Sequence, residues 1–170
     1  MEKIAFDILW KLDDFKKVSY WNALVRKKTT IILSVIVFIA GIFALIFQNE
    51  LQFPVIISIL LLLYPFALVG TTALRISGYI KSIDPEALTK RTIIVEEKGV
   101  ISKSGEDNSA SLITWDRFEK AYEIKEYFVF LLAMQDIVFF PKRDMQQEQV
   151  HGMREYIKKY MDEKKFYLLK

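Results

Sequence analysis

The sequence predicts an α+β membrane protein, in which a two-helix transmembrane hairpin carries a small antiparallel β-sheet or barrel capped by a C-terminal helix. Three observations predict it. Two long uncharged stretches lie side by side in the first half of the chain. Short apolar runs separated by turn residues fill most of the second half. A helical repeat of apolar residues comes near the end.

The first uncharged stretch runs from Thr29 to Asn49, and thirteen of the seventeen residues from Ile31 to Phe47 are Ile, Leu, Val or Phe. The second runs from Leu51 to Leu74, through Phe53, Ile56, Leu60, Leu63, Phe66 and Leu68. Spans of about 29–49 and 53–74 both reach the ~20 residues that cross a hydrocarbon core ~30 Å thick. A hairpin buried in a soluble core would show apolar runs nearer ~10–14 residues. A cleaved signal peptide would have a shorter run that starts earlier, and would end in small residues rather than Phe47-Gln48-Asn49-Glu50. Pro54 opens the second helix, where proline is tolerated, and Pro65 lies inside it and predicts a kink. No Asp, Glu, Lys, Arg or His falls within either span, so the hairpin reads as an anchor rather than an ion or proton path. Ala40, Gly41 and Ala44 offer a small-residue face for packing inside the hairpin or against lipid.

The positive charge sets the orientation. Residues 1–85 carry nine Lys or Arg against six Asp or Glu, while residues 86–170 carry fifteen of each. Arg26, Lys27 and Lys28 abut the first span and Arg75 and Lys81 follow the second, whereas the connecting Gln48-Asn49-Glu50-Leu51-Gln52 has neither Lys nor Arg. The positive-inside rule then puts both termini in the cytoplasm, with Trp21 and Tyr79 as further anchors at the inner interface. The expected location is the cytoplasmic membrane, multi-pass, with the lipid bilayer as one partner. A charge-neutral C-terminal half argues against nucleic acid, which requires a basic surface.

Flanking the hairpin, residues 1–28 and 84–170 read as cytoplasmic. Ile4, Phe6, Ile8, Trp10 and Leu12 alternate with mostly polar neighbours, the period of a half-buried strand. Asp13 or Asp14 can cap a helix running to Lys28, with Phe15, Val18, Trp21 and Val25 as its apolar stripe. Past the second span the helix should run to about Ile83, and Asp84-Pro85 breaks it. Strands are expected at Thr92–Glu96 and Val100–Lys103, joined at Gly99, then at Ser111–Trp115. Phe118–Ile124 follows, with Phe118, Tyr122 and Ile124 on one face, then Tyr127–Ala133 and Ile137–Phe140 across Met134-Gln135-Asp136. A final helix has Asp144 as N-cap, Gln147 completing a capping box, and Val150, Met153, Ile157 and Met161 facing inward. The apolar tail Phe166-Tyr167-Leu168-Leu169 should fold back on the sheet or touch the membrane, and the N-terminal strand could complete the sheet.

With strands carrying Leu112-Ile113-Thr114-Trp115 and Ile137-Val138-Phe139-Phe140-Pro141-Lys142-Arg143 behind a two-helix hairpin, the chain resembles the YcxB-like bacterial membrane proteins. The resemblance implies a C-terminal domain similar to pleckstrin-homology folds, a bent antiparallel sheet capped by a helix. It implies no catalytic residues.

The residues supply no reaction of their own. Cysteine is absent, which removes thiolate chemistry and cysteine metal sites. His151 has Glu148 and Glu155 on its helix face, but a metal site of that type needs several such helices, so a solvated polar face is expected. No nucleophile–base set and no phosphate-binding glycine loop is present. No enzyme activity, cofactor, metal or small-molecule substrate is therefore expected. Phosphoinositide binding, known in some pleckstrin-homology folds, is disfavoured by the acidic turns Glu96-Glu97-Lys98-Gly99 and Ser104-Gly105-Glu106-Asp107-Asn108. Lys142 and Arg143 are the better candidates for lipid phosphate, weighed against ion pairs with Asp144 or Asp136. Trp115, Tyr127, Phe128, Phe130, Phe139 and Phe140 form a candidate packing or interaction strand, because the run from Tyr127 to Leu131 is apolar on both faces. The expected function is a non-enzymatic, membrane-anchored interaction or scaffold module that binds a protein partner or itself. The alternative is an immunity factor that protects against membrane-active peptides such as bacteriocins.

Overall fold

A computed structural model describes residues 2–26, 28–51, 54–104, 110–133 and 136–169. In chain order the elements are β1 (Ile4–Ile8), α1 (Leu12–Tyr20), a π-helical stretch (Trp21–Arg26), α2 (Lys28–Ile46), α3 (Gln48–Leu51) and α4 (Val55–Lys81). Then come β2 (Arg91–Glu96), β3 (Gly99–Ser104), β4 (Ala110–Thr114), β5 (Phe118–Glu123), β6 (Tyr127–Leu132), β7 (Ile137–Pro141), α5 (Gln147–Tyr160) and β8 (Phe166–Tyr167). The class is α+β, with two long apolar helices and antiparallel sheets. The chain divides into two compact units, one formed by Met1–Asp14 with Asp84–Lys170, the other by Phe15–Ile83.

The first unit joins both ends of the sequence. β1 pairs antiparallel with β2, from Ile4 opposite Val95 to Ile8 opposite Arg91, and β3 and β4 extend that sheet in order. The second sheet runs β7-β6-β5-β8; its pairings are antiparallel except that β8 lies parallel to β5. Among the described residues no strand of one sheet is hydrogen-bonded to the other, so the expected sheet-or-barrel resolves as two separate sheets. Period-two burial explains the layering. Phe6 and Ile8 of β1, Ile93 and Val95 of β2, and Phe128 and Phe130 of β6 turn into one core with Phe140 and the Val150, Met153, Tyr156 and Ile157 face of α5. At Gly99 the backbone has φ +149°, and an added Cβ would stand 2.1 Å from the Ile113 carbonyl oxygen. The glycine is set by this close approach of β4 as much as by the turn.

Several local expectations shift by a residue or more, each for a visible reason. The N-terminal strand stops at Ile8 rather than Leu12, because beyond it the Leu9 amide donates to the Asp144 carboxylate and the Trp10 indole to the Phe139 carbonyl. The following helix starts at Leu12, and Asp14 is not its N-cap but reaches back to accept the Lys11 amide at 2.8 Å. That helix widens into the π-helical stretch over Trp21–Arg26, where Arg26 donates to the Asn22 side chain at 2.6 Å. Trp115 is not on a strand. It opens a short 3-10 turn, Trp115–Arg117, from which its indole donates to the Glu96 carbonyl. α5 starts after Gln146, not Asp144, and Gln149 accepts the Gln146 amide at 2.7 Å. A bulge between Phe118 and Lys120 shifts the register of β5, so Phe118, Ala121 and Glu123 are buried in place of Phe118, Tyr122 and Ile124.

In the second unit α2 packs on α4. Gly41, Ala44 and Ser34 are buried on α2 and Ser58 on α4, whereas Ala40 is exposed. A Cβ at Gly41 would lie 3.0 Å from the Leu61 Cβ, so the small residue sets the interhelical approach. Phe38 and Phe66 meet edge to face at 6.4 Å. Two helices, Lys28–Ile46 and Val55–Lys81, are long and apolar enough to cross a membrane, and 17% and 6% of their apolar windows are buried.

Candidate functional site

The stretch that closes β7 organises the polar chemistry of the first unit. Pro141 ends the strand opposite Tyr127, where its missing N–H costs no ladder bond, and the Lys142 amide then donates to the Glu126 carbonyl at 2.9 Å. A 3-10 turn, Lys142–Asp144, follows. Its first two side chains engage two buried carboxylates. Lys142 Nζ lies 2.6 Å from Glu123 Oε1 and 5.1 Å from the centre of the Phe128 ring. Arg143 meets Asp14 as a fork, Nη1 to Oδ1 at 2.5 Å and Nη2 to Oδ2 at 2.7 Å, and Nη2 also donates to the Leu9 carbonyl.

Each carboxylate collects further donors. The Asp14 oxygens accept the Tyr127 hydroxyl at 2.8 Å and the Lys11 amide. The Glu123 side chain, fully buried, accepts Arg154 through Nε and Nη2 and the Leu169 amide at 3.2 Å. Burial pushes both carboxyls up, but the bonds outweigh it. Arg143, the Lys11 amide and Tyr127 hold Asp14 below its ordinary value, and Arg154 and Lys142 do the same for Glu123. The Tyr127 phenol is pushed well up, first by burial and then by its bond to Asp14. These are charge-neutralised, hydrogen-bonded carboxylates, suited to holding the fold rather than to moving protons.

Lys142 and Arg143, the candidates for lipid phosphate or for ion pairs with Asp144 or Asp136, hold Glu123 and Asp14 of their own chain, and Asp144 is a secondary contact of Arg143 at 3.5 Å. The candidate packing or interaction strand is interior and serves packing. Tyr127, Phe128, Val129, Phe130 and Leu131 are all buried. Phe128, Phe130 and Phe140 join the core, while Tyr127 and Phe139 meet edge to face at 5.9 Å beneath Trp10. The apolar second face is therefore covered by the segment following β1. Trp115 is core as well, stacked on Tyr156 and Tyr160 of α5. Of the expected interface anchors, Lys28, Arg75 and Tyr79 are exposed, Trp21 and Arg26 are partly buried within the π-helical stretch, and Lys27 lies outside the described residues. The acidic loop at 105–109 and the turn residues Met134 and Gln135 lie outside them too.

Sequence reasoning missed Asp14, Glu123 and Arg154 as a polar network. Asp14 read as a helix cap, and strict alternation placed Glu123 outward. Only the bulge in β5 turns it in. The tail prediction fares better, since β8 returns to the sheet and Tyr167 stacks on Tyr122 at 4.9 Å.

Between β1 and α5 lies an open groove of about 530 Å³, lined by Glu2, Lys3, Ile4 and Ala5 on one side and by Glu148, Gln149, His151, Gly152, Glu155 and Tyr156 on the other. Gln149 donates to the Ala5 carbonyl at 2.8 Å and Tyr156 to the Glu2 carbonyl at 3.1 Å. A Cβ at Gly152 would stand 2.5 Å from Ile4 Cδ1, so this glycine brings α5 close to the strand. Among the described residues no three His, Cys, Asp or Glu side chains are gathered to hold a metal ion.

No curated protein matches the sequence. Residues 95–157, from the end of β2 into α5 and including both Trp115 and the Phe-Pro-Lys-Arg stretch that carried the resemblance, match the YcxB-like protein family.

Proposed function

We propose that the chain is a non-enzymatic, membrane-anchored interaction module, whose hairpin spans the cytoplasmic membrane twice and whose globular unit is a pleckstrin-homology-like domain on the cytoplasmic side. One observation carries the reading. β1 and β2 are adjacent strands of one sheet, yet the two long apolar helices lie between them in sequence. A folded sheet cannot be split by a bilayer, which supports a hairpin that crosses twice and returns to the side it left. The low burial of those helices supports lipid as their surroundings, because the core helices of a soluble protein would be covered by protein. The basic residues Arg26, Lys28, Arg75 and Lys81 at one end, against Asn49 and Glu50 at the other, favour the cytoplasm for that side.

The domain assignment rests on two four-stranded sheets, with α5 between β7 and the short β8 in sequence, packed on a shared core. Inserting the hairpin after the first strand ties the module to the bilayer through two chain crossings. An interaction role is supported by buried carboxylates that are satisfied within the fold and by the open groove of about 530 Å³ between β1 and α5.

The chain has no native cysteine, so single cysteines at Asn49 and Glu119 can be labelled on intact cells with a membrane-impermeant maleimide. The expected result is labelling at Asn49 and, for Glu119, labelling only after permeabilisation. Labelling of Glu119 from outside would invert the proposed orientation. Photo-crosslinking in cells from exposed domain positions then tests the interaction role. Absence of any discrete adduct from every position would overturn it.

A further inference from the structure

The outer edges of the two sheets are treated differently. Beside β1, Gln149 of α5 donates to the Ala5 carbonyl and Tyr156 to the Glu2 carbonyl. On β7 the Trp10 indole donates to the Phe139 carbonyl, and Pro141 has no N–H to offer. β8 is two residues long. β4 is the exception. It ends its sheet, hydrogen-bonded to β3 alone. The Ile113 carbonyl oxygen points at β3, beside Gly99. Alternation along the strand then turns the backbone N–H and C=O of Ala110, Leu112 and Thr114 to the free edge. Among the described residues nothing bonds to them there. The strand Ala110–Thr114 also has no charge, no proline and no bulge, the devices that ordinarily keep strand edges apart.

The side chains point to the same edge. Leu112 stands opposite Ile101, Ile101 opposite Ile94, and Ile94 opposite Ala5. This apolar row lies on the outer face, since the alternate residues Ile93 and Val95 face the core. It ends at Leu112, which is 45% exposed.

We infer that β4 is the edge through which two copies of this chain pair, antiparallel about Leu112, joining their four-stranded sheets into one. The inference rests on the interaction-module reading and names its surface and its partner. Self-complementarity selects the occupant. A two-fold axis at Leu112 sets Leu112 against its own copy and Ala110 against Thr114. Those are the residues whose backbone groups are free, so each such pair exchanges two hydrogen bonds. No like charges are opposed, and the exposed leucines cover one another at the junction of the two apolar rows. The ladder is short, and hairpins confined to one bilayer raise the local concentration that favours it.

The test uses the full chain in proteoliposomes, where the absence of native cysteine allows single cysteines to report. Across the axis the two Leu112 Cα atoms would stand about 5.5 Å apart, within disulfide reach. The two Ala110 residues would lie about 14 Å apart along the ladder, beyond it. Oxidation should therefore link Leu112→Cys into a dimer and leave Ala110→Cys unlinked. A mixture of Ala110→Cys and Thr114→Cys chains should give the mixed dimer. Leu112→Lys sets two lysines side by side and should abolish energy transfer between copies labelled at Glu119→Cys. Its unfolding midpoint should hold, because Leu112 lies outside the core. No dimer from Leu112→Cys, equal yields from Leu112→Cys and Ala110→Cys, or energy transfer that survives Leu112→Lys would overturn the pairing. A photo-crosslinker at Leu112 that captures a different protein in cells would overturn the second copy as occupant. Discrete adducts from other exposed positions, with no Leu112 dimer, would sink the edge and leave the module standing.

Discussion

Arg143 grips Asp14 with both arms of its guanidinium, across 129 positions of sequence. The contact fastens the turn after β7 to the first turn of α1, the helix that leads toward the hairpin. Its planar fork matches the carboxylate in a way no lysine can.

Arg143→Ala leaves Asp14 buried with only Tyr127 and a backbone amide. A fully buried pair broken in this way costs about 3–5 kcal/mol, but the Arg143 side chain is 38% exposed and solvent screens part of the interaction. A loss of about 2–3 kcal/mol is expected in denaturant unfolding followed by tryptophan fluorescence. Arg143→Lys should recover less than half, because the fork is lost. Full recovery by lysine would refute the bidentate account.

Glu123 holds Lys142, Arg154 and the Leu169 amide together, with its own side chain wholly buried. Glu123→Ala strands two cations and frees the tail. The expected cost is about 3–5 kcal/mol. Faster digestion of the C-terminus by carboxypeptidase should accompany it. Unchanged digestion would show that β8 is held by its strand and stacking contacts alone.

Asp14 and Glu123 also set the acid limit of the fold. Both carboxyls are held below the ordinary value of about 4, so the folded unit binds fewer protons than the unfolded chain between the two values. Their stabilisation is complete above about pH 5 and is lost as pH falls through the depressed folded values. Acid titration should therefore show a steep decline below about pH 4. Glu123→Gln should start less stable and decline less steeply; parallel curves would remove Glu123 from the linkage.

Gly99→Ala combines a backbone at φ +149° with a Cβ only 2.1 Å from the Ile113 carbonyl oxygen. Either β4 moves away or the turn reshapes, at a cost of about 2 kcal/mol or more. The unfolding midpoint reads it, and hydrogen exchange at Ile113 should rise with it.

Gly41→Leu forces α2 and α4 apart where their approach is tightest. Overpacking of this kind costs about 1–3 kcal/mol, read as a lower midpoint when helical content is titrated with a denaturing detergent. An unchanged midpoint would mean that the helices slide freely past one another.

Much of this architecture was legible because it rests on local, repeating signals. Uncharged length marked α2 and α4, a period of two marked β1, short apolar runs between turns marked β2, β3, β6 and β7, and the spacing of Val150, Met153, Ile157 and Met161 marked α5 and its buried face. Hydrophobic burial responds to such periodicity wherever the chain finally goes. The polar network was not legible, because charge in a sequence carries no address. A one-residue bulge turned Glu123 inward, the end of β1 delivered Asp14 to Arg143, and Lys142 found Glu123 rather than an outside phosphate. The sequence by itself determined which segments are apolar helices and which are strands. Tertiary structure alone decided which charges are buried in pairs and which line an open groove, because desolvation and hydrogen bonding depend on neighbours 19 residues away for Lys142 and Glu123 and 129 for Arg143 and Asp14.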